Sequence, residues 1–318
     1  MKHLLGYTIY GTVADIPGEG TAAQRLMAAG ADGIELLTGY QPVPRDTALL
    51  TEAVHLPYAT DWYGVWSGRL YVEENVPEDT IRHMFYGRSR EGICDAVREC
   101  ISQASILEPD YAVLHAGNAN TDDLLIREQS DSDTDVLKAL TEVVNDAVSR
   151  LGGEPPMRIL FENLWWPGLR MTDAAGYRVL EKELEFEDWG LCLDTGHLLV
   201  SLGGVRTEEE AIDLLLRTID SYPEDMVDRI GAMHLHLNTS AEFMRSHRNG
   251  GEVPAGREDR IFAAYDRIYG SDSHDPFTSP RVRELVEAVR PDTVTHEMKT
   301  VDPERMISDF ICQRSLFG

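Results

Sequence analysis

Short apolar runs alternate with longer amphipathic stretches along the whole chain, and this alternation restricts the fold more than any other feature. Eight runs read as strands: 3–10, 33–39, 53–59, 111–118, 158–164, 190–197, 230–238 and 293–299. Helical segments lie between them at 21–29, 45–52, 89–108, 133–151, 172–184, 207–221 and 280–289, and a last one at 303–316 follows the eighth run. Several helices carry start signals. Ser132 precedes a stripe of Leu137, Leu140, Val144 and Val148 at helical spacing. Thr207 with Glu210 fits a capping box, and Asp302 stands before Pro303 at a first helical position. Eight such alternations in 318 residues predict an α/β fold, a single-domain (β/α)8 TIM barrel over residues 1–318. No glycine-rich dinucleotide fingerprint follows the first run, which weighs against an open Rossmann sheet. Two connections, 60–88 and 239–279, are long enough to be functional loops over the C-terminal face of the barrel. The first carries Trp62, Tyr63, Trp66, Tyr71, Phe85 and Tyr86, and the second is rich in charge.

Active sites of such barrels form at the C-terminal ends of the strands. Those ends are unusual here. The third run carries His55 and the fourth His115. The fifth ends on Glu162 and Asn163, and the sixth on Asp194, with His197 in the turn after it. The seventh carries His234 and His236, and the eighth Glu297. Barrel interiors are normally filled by Val, Ile and Leu. A ring of carboxylates and imidazoles is costly to desolvate unless it binds something positive. Any one of these residues alone has an ordinary reading: a strand-end Asp is often only a helix cap, and a lone His is often a satisfied core residue. Their number at equivalent positions points to a divalent ion such as Zn²⁺ or Mn²⁺, held by Glu162, Asp194, His236 and Glu297. His234 and His236 face the same side of their strand. His236 is nearer the rim and is read as the ligand, and His234 as a hydrogen-bonded core residue one layer deeper. Glu35, on the second run, is left without a role.

Charge narrows the partner. Lys and Arg total 29 against 55 Asp and Glu, a formal net charge of −26. Such a surface repels polyanions and offers little of the counterion release that drives DNA binding. A small-molecule substrate is therefore expected, not a long nucleic acid. No apolar stretch approaches the roughly 20 residues of a membrane span. The four cysteines, Cys94, Cys100, Cys192 and Cys312, show no paired spacing. That favours a reducing, cytoplasmic setting over a disulfide framework. The start, Met1–Tyr7, reads as a first strand and not as a signal peptide.

The segments VHLPY (54–58), LHAG (114–117), FEN (161–163), CLDTGH (192–197), HLNTS (236–240) and HE (296–297) occur in this order, one per strand. Together they resemble the xylose-isomerase-like, or endonuclease IV-like, metal-dependent TIM barrels. In the sugar isomerase and epimerase branch, the resemblance implies one metal on Glu162, Asp194, His236 and Glu297. It also implies that His197 contacts substrate and that the two glutamates move protons beside the metal. In the endonuclease IV branch it implies two more ions. One would use His55, His115 and Glu162. The other would use His197 with Asp272 and His274, and His247 competes for that last role. The wider spacing between His236 and Asp272, and Met298 after Glu297, depart from the repair enzymes. VHLPYATDWYGVW (54–66) and DSHDPF (272–277) are similar to segments of cobamide-remodelling phosphodiesterases, which open the nucleotide loop of a corrinoid. The resemblance thus implies a metal-dependent phosphodiesterase or a single-metal ketose isomerase. Glu162, Glu297 and His197 would be catalytic. Trp62, Trp66, Asn163 and Asn238 would touch substrate, the two indoles as flat faces for a base or a large ring.

Overall fold

In the computed structural model, which describes residues 1–8, 26–40, 50–126, 129–247, 253–299 and 302–318, eight strands pair in parallel and close on themselves. They are β1 (Lys2–Thr8), β2 (Gly33–Leu37), β3 (Thr51–His55), β4 (Tyr111–His115), β5 (Arg158–Glu162), β6 (Trp189–Asp194), β7 (Ile230–Leu235) and β8 (Thr293–His296). β8 returns to β1 in the register Lys2↔Thr293 to Leu5↔His296, so no strand edge is left open.

Strand alternation sorts the side chains. On β6, Leu191 and Leu193 join the large core between the strands and the surrounding helices. Cys192 turns inward, where it packs with Leu4, Ala53, Tyr111, Val113, Leu160 and Ala232. That inner layer is a dry floor. The next inward positions, Glu35, His55, Glu162 and His234, stand on it and are polar and buried.

The outer helices form as their start signals predict. Ser132 caps Asp133–Arg150 through Asp135 N (3.4 Å). Thr207 caps Glu208–Asp220 through Glu210 N (3.2 Å). Asp302 accepts from Glu304 N (3.0 Å) ahead of Pro303. Each such cap contributes about 1 kcal/mol.

Three expectations change. First, residues 51 and 52 of the predicted helix 45–52 belong to β3, where Thr51 pairs with Ile34 and Lys2 binds Glu52 (2.6 Å). Residues 41–49 lie outside the described residues, as do 21–25 of the predicted helix 21–29. Second, β2 to β8 end two to four residues earlier than the apolar runs suggest. After Asp194 the chain turns at once into a short helix, Thr195–Ser201. Third, the long connections hold helices. The first contains Trp62–Trp66 and Glu78–Phe85, and the second Ala241–Ser246 and Arg257–Ser271. Among the described residues no helix is long and apolar enough to cross a membrane.

Candidate metal centre

Glu162, at the end of β5, is the hub. One carboxylate oxygen, Oε2, faces His55 Nε2 at 3.0 Å and His115 Nε2 at 3.2 Å. The other, Oε1, faces His197 Nδ1 at 3.2 Å and His234 Nδ1 at 3.3 Å. A carboxylate this buried is tolerated only because imidazoles surround it.

Asp194 serves two neighbours. Its Oδ1 accepts from His197 N (2.6 Å) and caps the helix Thr195–Ser201, while Oδ2 lies 3.0 Å from His236 Nε2. The helix-cap reading of this residue is realised, and the same carboxylate faces an imidazole. Gly196 makes the turn possible. A Cβ there would stand 1.9 Å from His236 Cε1, so only glycine lets the backbone pass the ring.

Asp272 and His274 arrive from far along the chain. The helix Arg257–Ser271 ends at Ser271, whose carbonyl accepts from Asn238 Nδ2 (2.6 Å). Leu237 and Asp275 then exchange two backbone hydrogen bonds (2.7 and 3.0 Å). Held between these ties, Asp272 Oδ2 meets His274 Nε2 at 2.8 Å and His197 Nε2 at 3.4 Å. The His274 ring stacks on His236, with centroids 4.1 Å apart. His247 instead stacks on Phe243 and takes no part.

Two imidazoles reveal which nitrogen is left for an ion. A carbonyl only accepts, so His55 Nδ1–H donates to Leu56 O (2.8 Å) and turns Nε2 to Glu162. His197 Nδ1–H likewise donates to Asn163 O (2.9 Å) and turns Nε2 to Asp272. Anchoring one ring nitrogen on the backbone is how proteins orient metal-ligating histidines. His55, His115 and Glu162 bring three ligand atoms within 4.8 Å of one another. So do Asp194, His197 and His236, and His236, Asp272 and His274. Imidazole and carboxylate donors from many strands fit a borderline divalent ion.

No protein-family model matches the sequence, and no curated protein matches it. Solved structures do. An L-ribulose 3-epimerase aligns over 100% of this chain and 94% of its own, at 14% identity and a TM-score of 0.53. A sugar phosphate isomerase/epimerase from Parabacteroides distasonis aligns over 99% and 92%, at 11% identity and a TM-score of 0.51. Both align over the closed eight-stranded parallel barrel described above. Endonuclease IV from Thermus thermophilus also aligns, over 100% and 99% at 14% identity, with a TM-score of 0.49. Similarity at this level shows the fold alone, and the chemistry has to be read from the site's own atoms.

Five carboxylates (Glu35, Glu162, Asp194, Asp272, Glu297) and six imidazoles crowd this centre, and they set one another's charge. Burial works against ionising Glu162 and Asp272, but facing imidazoles hold both carboxyls well below the usual range. Burial also opposes charge on His197, yet Asp194, Asp272 and Glu162 raise it well above the ordinary imidazole value. His274 is raised to about 9, Asp272 outweighing burial. His55 and His115 share one carboxylate oxygen and part ways. Burial pushes His115 down to about 4, while His55, also opposed by burial, is raised by Glu162. One shared oxygen supports one extra proton.

Four residues expected to touch substrate make contacts within the protein itself. Trp62 is buried, and its Nε1–H donates to Gly117 O (2.9 Å). Trp66 is buried too, with the Arg90 guanidinium 4.7 Å from its ring centre. Asn163 is consumed by β6: its Nδ2 donates to Asp194 O (3.0 Å) and its Oδ1 accepts from Asp194 N (2.7 Å). Asn238, fully buried, ties down the chain at Ser271. Both asparagines shape the site from behind.

Three contributors went unread in the sequence. His234 is deep, as expected, but its Nδ1 stands 3.1 Å from Glu297 Oε1 as well as close to Glu162. Glu35 supports it from below through Nε2 (2.8 Å) and is itself held by Tyr111 and Thr295 hydroxyls (2.8 Å each). Tyr58 stacks on His115 at 4.1 Å. Strand parity would have placed Glu35 inside the barrel, but nothing local marks its partner.

Proposed function

We propose that this protein is a metal-dependent phosphodiesterase acting on a small or medium-sized substrate. One observation carries the reading: His55 and His115 meet at Glu162 while Asp272 and His274 reach His197, so the centre has more ligands than one ion uses. His55, His115 and Glu162 would hold one ion. Asp194, His236, Glu162 and Glu297 would hold a second, and His197, Asp272 and His274 a third. Such ions lower the pKa of bound water towards neutrality and offset charge on phosphoryl oxygens.

The chain's own residues supply the rest. Glu162 spans two ligand groups with its two oxygens and fixes their spacing. Glu297, at 18% exposure the most open of the five carboxylates, is placed to take the proton of the attacking water. Glu35 and His234 hold that carboxylate from beneath. With Trp62 and Trp66 packed inside, segment 54–66 supplies no wall for a corrinoid, and the proposal does not include one.

Bis(p-nitrophenyl) phosphate is the direct probe. Zinc- or manganese-loaded protein should release p-nitrophenolate, and His55→Ala should cost more than about 100-fold while the fold persists. The second reading is a single-metal ketose isomerase or epimerase, in which Glu162, Asp194, His236 and Glu297 would hold the one ion. Interconversion of ketoses without phosphodiester cleavage, unaffected by His55→Ala, would overturn the hydrolase reading in its favour.

A further inference from the structure

A cavity of about 200 Å³ lies beside the metal centre, not within it. Its walls come from five separate segments: the helix after β4 with its flanking residues, the loop after β5, the end of Thr195–Ser201, the helix Ala241–Ser246, and the helix Arg257–Ser271. Two features tie it to the reacting centre. Trp165, on its wall, has its ring centroid 4.8 Å from that of His197. Ser271, also on its wall, immediately precedes Asp272.

The lining is of two kinds. Trp165, Trp166 and Ile268 give flat apolar surface, while Arg170, Arg267 and Gln129 bring polar groups into the same space. Arg267 Nη1 is anchored on Leu124 O (3.1 Å), and Arg170 on Asp133 (2.9 Å), so both guanidiniums are fixed in place. The Trp166 indole N–H is buried and has no acceptor among the described residues. Rigid aromatic walls with a few fixed donors recognise a flat ring that carries hydrogen-bond acceptors.

We propose that this cavity is the subsite for a planar heteroaromatic ring of nucleobase size, attached to one side of the scissile phosphodiester. The inference rests on the phosphodiesterase reading for where the phosphate sits, and on the cavity alone for what sits beside it. Its size admits one or two fused rings and excludes a macrocycle. The flat surface is offered by Trp165 and Trp166, two strand-loops beyond the Trp62 and Trp66 pair.

Two esters with the same leaving group test it. Thymidine 5′-(p-nitrophenyl phosphate) carries a base, and methyl p-nitrophenyl phosphate carries none. The ringed ester should be cleaved with a kcat/KM at least about tenfold higher, the scale expected of one base–aromatic stack. Trp165→Leu should abolish that preference by raising the KM of the ringed ester. Ser201→Phe, which narrows the cavity from the end of Thr195–Ser201, should abolish the preference too. In parallel, binding of thymidine 5′-monophosphate to the metal-free protein is read by quenching of tryptophan fluorescence. Binding that Ser201→Phe abolishes, without cleavage of either ester, supports the subsite and overturns the hydrolase. Cleavage of both esters at equal kcat/KM overturns the subsite and leaves the hydrolase standing. An equal fall for both esters in both variants also overturns the subsite, because the changes would then act through the metal centre.

Discussion

Replacing His274 with Asn should remove a pH-dependent share of the metal-free protein's stability. Asp272 raises the His274 imidazole from 6.5 to about 9, with Glu297 and Asp194 adding in the same direction against burial. At ~1.4 kcal/mol per pH unit, that corresponds to ~3 kcal/mol. The side chain is 29% exposed, and solvent screening reduces this to about 2 kcal/mol. The folded value lies above the unfolded one, so the contribution is fully present below pH 6.5. It is lost as pH rises through about 9. Urea unfolding in a chelating buffer, from pH 6 to 10, measures it. His274→Asn should be less stable than the parent by about 2 kcal/mol at pH 6, and the gap should shrink towards pH 10. A gap that stays constant would mean the loss is one of packing against His236. A gap that widens with pH would refute the charge assignment.

Three further changes are informative. Glu162→Gln should abolish turnover by more than about 100-fold, since it removes the oxygen shared by His55 and His115, while circular dichroism stays that of the parent. Parental activity in this variant would refute the site. Gly196→Ala drives a methyl group into the His236 ring. It should cost about 1–3 kcal/mol in urea unfolding and lower metal content, and a variant with full metal and stability would contradict the close approach. Trp62→Phe strands the Gly117 carbonyl. It should lower stability by about 1 kcal/mol with KM unchanged, whereas a raised KM would restore Trp62 as a substrate contact.

The barrel was legible because strand parity and helical spacing are local signals. Leu191 and Leu193 outward and Cys192 and Asp194 inward follow from alternation alone. The strand-end residues were legible because equivalent positions on successive strands come together at one rim. The rest depended on contacts across the chain. The position of Asp272 and His274 is set by Asn238 on Ser271 and by the Leu237–Asp275 pair, which the sequence separates by more than thirty residues. Trp62 and Trp66 read as loop aromatics, yet a short helix turns both into the core. Strand lengths were overestimated because residues such as Leu164 and Leu237 continue an apolar run after the backbone has left the sheet.

Metal stoichiometry tests the central claim most directly. Protein stripped with chelator, reloaded with excess zinc and dialysed should retain two or three zinc ions per chain by elemental analysis. Asp272→Ala should lower that number by one. A single ion per chain, unchanged by Asp272→Ala, would contradict the multinuclear centre.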